Sequence, residues 1–499
     1  MDTLTPAPHG ATSAHDSFYR ALAARDTRFD GVFFTGVKTT GIYCRPVCPA
    51  RTPHAASCTF FSSAAAAEQA GFRPCLRCRP ELAPYALQQN LAYAVWQRIA
   101  AGALNHQEDD SGIERLAETV GLSSRQLRRV LLQHFGVTPV ELAQTQRLLF
   151  AKKLLQETTL PMTDVAYASG FGSVRRFNAL FASRYAMAPT AIRRAVARID
   201  RTGGDALTLR LAYRPPYAWQ AVLAYLRGRA IPGLEAIDDA GYLRSVRLGE
   251  VCGWLRVTHL PLRHQIQLEV APSLAGVLMP LLARVRTQFD LDANPTQIEG
   301  HLQHDPLLAT QIARLPGLRV PGAFDPFELA LRAVLGQQVS VAGATTLSGR
   351  LVTQFGEPAE TPFATVSCHF PRAERLAVAT VESIAAIGVP RSRAETIQAV
   401  ARFAAAGGLQ MRPGLSLDDT VSALRSVRGI GEWTAQYIAL RALRYPDAFP
   451  AGDLGLQKAA ADGSAGQTRL TEKELLARGA HWSPWRGYAS LLLWHSLAA

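Results

Sequence analysis

Residues 424–435 read Leu424-Arg425-Ser426-Val427-Arg428-Gly429-Ile430-Gly431-Glu432-Trp433-Thr434-Ala435. The pattern is a helix, a Gly-x-Gly hairpin and a second helix. Glycine lets a hairpin backbone come close to a phosphate, and the first amides of the next helix can point at it. A Gly-x-Gly alone carries little weight. Here Asp453 follows, in Phe449-Pro450-Ala451-Gly452-Asp453. An isolated loop aspartate is usually a turn residue or a helix cap; a carboxylate downstream of such a hairpin is also a candidate for chemistry. Trp433 and Tyr437, four residues apart, share one face of the second helix.

Outward from that stretch, the chain is 499 residues long, which suggests three or four domains. Hydrophobic residues are 48% and charged residues 19%, so packed cores rather than disorder are expected. The net charge is +13, and only five of the 53 basic residues are lysine. An arginine-rich basic balance favours a polyanion, either nucleic acid or an acidic membrane surface. No stretch approaches the ~18–20 apolar residues of a membrane span, and residues 1–15 lack a secretory pattern. A soluble, cytoplasmic protein is expected. Residues 291–499 are helical with short Gly- and Pro-rich loops. Residues 205–290 hold strand-like stretches at Leu207–Leu211, Gly249–Val257 and His264–Val270. Glu81–Gln88, Asp200–Asp205 and Asp290–Gln297 read as linkers, and Asn105–Gly112 as a polar loop.

Seven cysteines are too few for a disulfide scaffold. Five of them lie between Cys44 and Cys78. Cys44 and Cys48 are four apart, Cys75 and Cys78 three apart, and the pairs are separated by 27 residues. That spacing suits a four-thiolate zinc site. A purely structural zinc is the plainer reading of such a site. Cys58 has no close partner and reads as a bystander.

Residues 88–199 are helical in period and contain one pattern twice. Ile113–Val120 ends at Gly121, and Ser123-Ser124-Arg125-Gln126-Leu127-Arg128-Arg129 starts the next helix, with Ser123 as N-cap. Met162–Ala168 leads to Gly170 and then Ser173-Val174-Arg175-Arg176-Phe177-Asn178. Each is a helix-turn-helix cue, and the helix Pro139–Gln156 joins them.

Three resemblances follow. Phe34-Thr35-Gly36-Val37-Lys38-Thr39-Thr40-Gly41-Ile42-Tyr43-Cys44-Arg45-Pro46-Val47-Cys48, with Gly71-Phe72-Arg73-Pro74-Cys75-Leu76-Arg77-Cys78-Arg79-Pro80, resembles the N-terminal domain of the Ada family. The resemblance implies one zinc, structural and catalytic, held by Cys44, Cys48, Cys75 and Cys78. It also implies that Cys44 accepts a methyl group from a DNA methylphosphotriester. Zinc would keep that thiolate ionised, and methylation would remove one negative charge and favour phosphate binding. Arg45, Arg73, Arg77 and Arg79 are candidates for backbone contacts. The paired helix-turn-helix units resemble AraC-type regulators, which places Arg125, Gln126, Arg128 and Arg129, then Ser173, Arg175, Arg176 and Asn178, toward adjacent major grooves. Some of these would contact only phosphate.

The third resemblance covers residues 207–497. The hairpin with Asp453, Tyr213-Arg214-Pro215-Pro216-Tyr217, Ala333-Val334-Leu335-Gly336-Gln337-Gln338-Val339-Ser340 and Pro484-Trp485-Arg486-Gly487-Tyr488-Ala489 are similar to AlkA-type glycosylases of the helix-hairpin-helix superfamily. It implies that Asp453 is catalytic, that Gly429 and Gly431 approach DNA, and that Gln338 wedges the flipped-base gap. Tyr225, Trp433, Tyr437 and Trp494 would line a pocket that draws a cationic base by its ring faces. Strand-nicking relatives carry lysine where Trp433 stands, so a monofunctional enzyme is implied. The position after the aspartate is Leu454 rather than an aromatic residue. The Pro-Cys-His-Arg string of a second Ada methyltransferase domain does not occur.

The expected architecture is multidomain and mainly α. It comprises a small zinc α/β domain (1–84), an all-α AraC-type double helix-turn-helix (88–199), an AlkA N-terminal α/β domain (205–290) and an all-α glycosylase domain (291–499). The expected function is excision of alkylated purines joined to methyl transfer and transcription regulation. Expected partners are double-stranded DNA and, if the protein activates transcription, RNA polymerase; a monomer is expected. Two alternatives remain: a regulator with an inactive glycosylase half, and a glycosylase with only structural zinc.

Overall fold

The computed structural model describes residues 14–84, 91–107, 110–195, 206–410, 415–461 and 468–497. The Asp200–Asp205 linker and part of Glu81–Gln88 lie outside the described residues. Two units divide the chain, residues 1–203 with 212–214, and residues 204–211 with 215–499.

In the first unit a four-stranded sheet runs in the order β3-β1-β2-β4, with β1 Phe34–Val37, β2 Ile42–Cys44, β3 Cys58–Phe61 and β4 Arg73–Pro74. The β1–β2 hairpin closes at Gly41, whose φ of +64° suits glycine. β2 and β4 are parallel, with Tyr43 opposite Pro74, and the Cys75 amide donates to the Tyr43 carbonyl (3.0 Å). Cys44 closes β2 and Cys75 follows β4, so this pairing carries the two cysteine pairs to one end of the sheet.

Seven helices follow among the described residues up to Ala195. Ser123 caps Ser124–Phe135 in a reciprocal box with Gln126, and Thr138 caps Pro139–Glu157 with Glu141. Ser173 caps Val174–Tyr185. The turn glycines Gly121 and Gly170 have φ of +69° and +82°. Part of the loop expected at Asn105–Gly112 is helical, because Asp110–Thr119 begins inside it.

The connecting helix Pro139–Glu157 buries charge as well as apolar surface. Lys152 pairs with Glu81 (2.5 Å), Arg79 with Glu157 (2.5 Å) and Lys153 with Glu157 (2.8 Å). These ion pairs dock the cysteine-bearing module on this helix. Glu68 adds a neutral contact: Tyr43 (3.1 Å), Tyr185 (3.5 Å) and Thr145 (3.0 Å) all donate to its carboxyl. Burial pushes the Glu68 carboxyl up to about 7, against the opposing hydrogen bonds from Thr145 and Tyr43. The folded state therefore keeps a proton that the unfolded chain loses near its ordinary value of 4.5. This group's contribution is full below that value and is lost as pH rises through about 7. Glu68→Gln should thus melt several degrees above the parent protein at pH 8 and close to it at pH 4.5. An equal gap at both pH values in thermal melts would refute this.

In the second unit five strands stand in the order β5-β9-β8-β7-β6, with β5 Leu207–Ala212, β6 Glu235–Ile237, β7 Tyr242–Leu248, β8 Val251–Leu260 and β9 Gln265–Val270. Alternation of apolar and polar residues along β9 gives it one buried face. The remainder is helical, apart from a small ladder pairing Glu357–Pro358 with Cys368–His369. Asp290–Gln297 is not a linker. Asp290 and Asp292 are buried, with Tyr488 donating to Asp290 (2.8 Å) and Arg286 pairing with Asp292. Pro295 starts another helix behind the Asn294 cap. Among the described residues no helix is long and apolar enough to cross a membrane.

Candidate functional site

The hairpin joins Leu417–Arg425 to Glu432–Arg441. Its two glycines have different reasons. Gly429 sits at φ +87°, and a Cβ there would lie 2.0 Å from the Thr396 Oγ1, so packing alone requires glycine. A Cβ at Gly431 would meet nothing within 4 Å, so its backbone is open to an approaching ligand. Gln337 ties the hairpin to the preceding loop, donating to the Gly429 carbonyl and the Thr434 hydroxyl (both 3.0 Å). Its neighbour Gln338 is exposed at φ +57°, in a left-handed conformation unusual for glutamine.

Helix Glu432–Arg441 presents Trp433, Tyr437 and Arg441 on one face, at steps of four. Trp433 and Tyr437 stack with ring planes 9° apart and centroids 5.2 Å apart, and Trp494 meets Tyr437 edge-on. These rings, Tyr225 and Asp453 line a cleft of about 1300 Å³. Asp453 is the N-cap of Leu454–Ala459, its Oδ1 accepting from the Leu456 amide (2.9 Å). Both indoles also donate to it: Trp433 to Oδ2 (2.9 Å) and Trp494 to Oδ1 (3.0 Å). The cap and the chemical candidate are one residue, held by three donors beside the aromatic wall. Leu454, in the position next to it, is exposed.

The other end of the ring stack is cationic. Arg441 donates to the Tyr437 (2.6 Å) and Tyr225 (2.7 Å) hydroxyls, and the Arg229 guanidinium carbon lies 3.7 Å from the Tyr225 centroid. Tyr225 therefore does not present a vacant ring face of the kind expected. Arg229 and Arg441 were missed in the sequence. The step of four from Tyr437 to Arg441 was the available signal for the second.

In the first unit the sulfurs of Cys44, Cys48, Cys75 and Cys78 all lie within 4.8 Å of one another. A tetrahedral zinc with ~2.3 Å bonds spaces its sulfurs by about 3.8 Å, so the donor set fits. Three of these cysteines are buried and Cys44 is half-buried. The Arg45 amide points at the Cys78 sulfur (3.4 Å) and the Cys78 amide at the Cys75 sulfur (3.5 Å), contacts that favour thiolates. Cys58 stands outside the cluster, its thiol against the His54 carbonyl.

The arginines expected at DNA separate. The side chain of Arg45 is buried, pairs with Asp30 and donates to the Cys78 carbonyl (3.2 Å). It braces the cysteine loop instead of facing solvent. Arg79 is committed to Glu81 and Glu157. Arg73 is half-buried and Arg77 exposed. Arg125, Arg129, Arg175, Arg176 and Asn178 are exposed at their helix starts. Arg128 pairs with Asp110, and the Gln126 carboxamide is used by the Ser123 cap.

Four family models match consecutive parts of the chain: the metal binding domain of Ada (17–81), a helix-turn-helix domain (116–195), the AlkA N-terminal domain (208–325) and the HhH-GPD superfamily base excision DNA repair proteins (331–484). A probable bifunctional transcriptional activator/DNA repair enzyme AlkA of Mycobacterium tuberculosis is 40% identical over 97% of both chains. This chain belongs to that bifunctional family. As a member it combines DNA alkylation repair with a DNA-binding, regulatory half, and its four-cysteine cluster lies in a zinc-binding domain. DNA-3-methyladenine glycosylase 2 of Escherichia coli is 35% identical over 57% of this chain and 96% of its own. The solved 3-methyladenine DNA-glycosylase of Archaeoglobus fulgidus superposes with a TM-score of 0.51 over 57% of this chain and 97% of its own, at 20% identity. That likeness speaks for the fold of the second unit.

Proposed function

We propose that the second unit is a monofunctional glycosylase that hydrolyses the glycosidic bond of alkylated purines of the 3-methyladenine type. The carrying observation is Asp453, a carboxylate held by two indole N–H groups at an aromatic cleft. A flipped, alkylated base lies against Trp433, Tyr437 and Trp494, with Tyr225 closing the far end. Asp453 stabilises the positive charge that develops on the sugar as the base departs, and water completes the hydrolysis. Gln338 fills the vacated stack, and Gly429 and Gly431 place the hairpin on the backbone. Without a lysine at position 433 the product is an abasic site. Release of alkylated bases from methylated duplex DNA, measured on the purified full chain, tests this; no release overturns it.

The first unit senses backbone methylation in this reading. One zinc, held by Cys44, Cys48, Cys75 and Cys78, keeps the sulfurs ionised. The Cys44 Sγ, the least buried of the four, attacks the methyl carbon of a phosphotriester. The S–C bond forms, the C–O bond breaks and its electron pair stays on the phosphate. Mass spectrometry after incubation with methylated DNA should find one added methyl on Cys44; an unmodified Cys44 leaves the zinc purely structural.

Arg125, Arg129, Arg175, Arg176 and Asn178 read DNA from the two helix starts, with Arg73 and Arg77 on phosphates. Where a residue contacts only phosphate, alanine should reduce the slope of log affinity against log salt by about 1. An unchanged slope together with an unchanged affinity in both Arg125→Ala and Arg175→Ala would remove these helix starts from the interface. The regulatory role then calls for RNA polymerase as partner of a monomeric, cytoplasmic protein. The four modules of this reading are 1–84, 88–199, 205–290 and 291–499, the last two joined through the packed segment Asp290–Gln297.

A further inference from the structure

The base cleft has opposite charges at its two ends. Trp433 donates to Asp453, and Tyr437, stacked on it, accepts from Arg441. Arg229 lies on the Tyr225 ring at 3.7 Å, and Arg441 lies 4.8 Å from the same ring. Of the three further lining arginines, Arg244 and Arg332 are matched by Glu328 and Glu235, and Arg393 donates to the Gln337 carbonyl beside the hairpin (2.6 Å). Arg229 and Arg441 have no such match. They meet carbonyls, tyrosine hydroxyls and rings, and among the described residues neither pairs with a carboxylate. Burial pushes the Tyr225 phenol up to about 12 against the opposing field of Arg441, whereas at its hydrogen-bonded neighbour Tyr437 the nearby Arg441 and Arg229 outweigh burial and leave the phenol below its ordinary range. The Tyr225 end of the cleft is thus a positive field.

That field treats two kinds of base differently. A base alkylated to a formal cation leaves as a neutral molecule and gains nothing from a cation beside it. A neutral base leaves as an anion. The bond from the sugar carbon to the base nitrogen breaks, and its electron pair goes to the base. The base then takes up a proton as water adds to the sugar carbon. A guanidinium alongside stabilises that departing anion and opposes an incoming cation.

We propose that Arg229, with Arg441 behind it, is a specificity-determining residue that extends excision to neutral bases presenting carbonyl acceptors at this end, at a cost to cationic N-alkylated bases. This rests on the glycosylase reading above. The test measures kcat/KM of the full chain for duplexes containing hypoxanthine, a neutral base, and 7-methylguanine, a cationic one. Arg229→Gln should move the ratio about tenfold toward 7-methylguanine, whereas Arg229→Lys, which keeps the charge, should move it less than about threefold. An unchanged ratio in Arg229→Gln, with both bases still released, overturns the proposal and leaves the glycosylase reading intact. Release of neither base by the parent protein removes the glycosylase reading itself. Should Arg229→Gln fail to fold by circular dichroism, the parent protein decides. Quenching of tryptophan fluorescence at pH 6 should rank inosine above 7-methylguanosine, and equal or reversed affinities overturn the proposal.

Discussion

Asp453→Asn should leave a folded protein that releases alkylated purines about 10³-fold more slowly, the scale seen when one electrostatic stabiliser is removed from a transition state. The substitution separates the two jobs of this residue. As N-cap of Leu454–Ala459 its Oδ1 accepts from the Leu456 amide, and asparagine caps equally well. The same oxygen keeps the Trp494 contact. The second oxygen becomes an amide nitrogen facing the Trp433 N–H. One hydrogen bond becomes two donors face to face, a cost of about 1–2 kcal/mol. What disappears from the chemistry is the charge beside the sugar. The measurement is single-turnover base release at saturating enzyme, with a thermal melt in parallel. Release within tenfold of the parent protein would show that Asp453 only caps a helix.

Much of this site was legible in the sequence. The hairpin, Asp453, Trp433 and Tyr437 lie within one short stretch, and steps of four put side chains on one helix face. The paired cysteines were legible for a similar reason, because spacing within each pair is local. The pairing of β2 with β4 that unites them is not local, yet four thiols in two pairs leave few other arrangements. Charge was the illegible part. Arg45 follows Cys44 directly and reads as a phosphate ligand, but Asp30, fifteen residues earlier, takes its guanidinium into the interior. Lys152 and Glu157 lie near the end of a helix whose own spacing names no partner for them outside it. Only the docked module, through Glu81 and Arg79, turns them into buried ions. Asp290–Gln297 has the composition of a linker and is packed because distant Arg444 and Tyr488 reach it. Sequence spacing reports which side chains share a face; it does not report what that face meets.

Stripping the metal should unfold residues 14–84 while base release by the second unit stays within about twofold, because each unit has its own core. The argument starts from how little else holds the module. Its strands are two to four residues long. One of its buried clusters consists of Cys48, Cys75 and Cys78 with Ile42, Cys44 and Ala50 packed against it, so the thiols that would hold the metal are themselves part of the core. A domain of this size rarely stabilises itself by apolar burial alone. Zinc bound by four thiolates contributes about 10–16 kcal/mol to comparable small domains, and removing it leaves four sulfurs crowded together without a counter-charge. Cys75→Ser should act like a chelator, because it removes one of the four sulfurs that would hold the metal while leaving the Cys75 carbonyl that Lys152 grips (3.3 Å) in place. Cys58→Ser is the control. Cys58 is equally buried, but its thiol only meets the His54 carbonyl, which a hydroxyl can also do. Limited proteolysis followed by mass spectrometry reads the outcome. Cleavage confined to 14–84 in the chelated and Cys75→Ser proteins, with Cys58→Ser resistant, is the expected pattern. A metal-free module that resists protease would mean that its docking on Pro139–Glu157, through Glu81, Arg79 and Glu68, suffices to hold it folded.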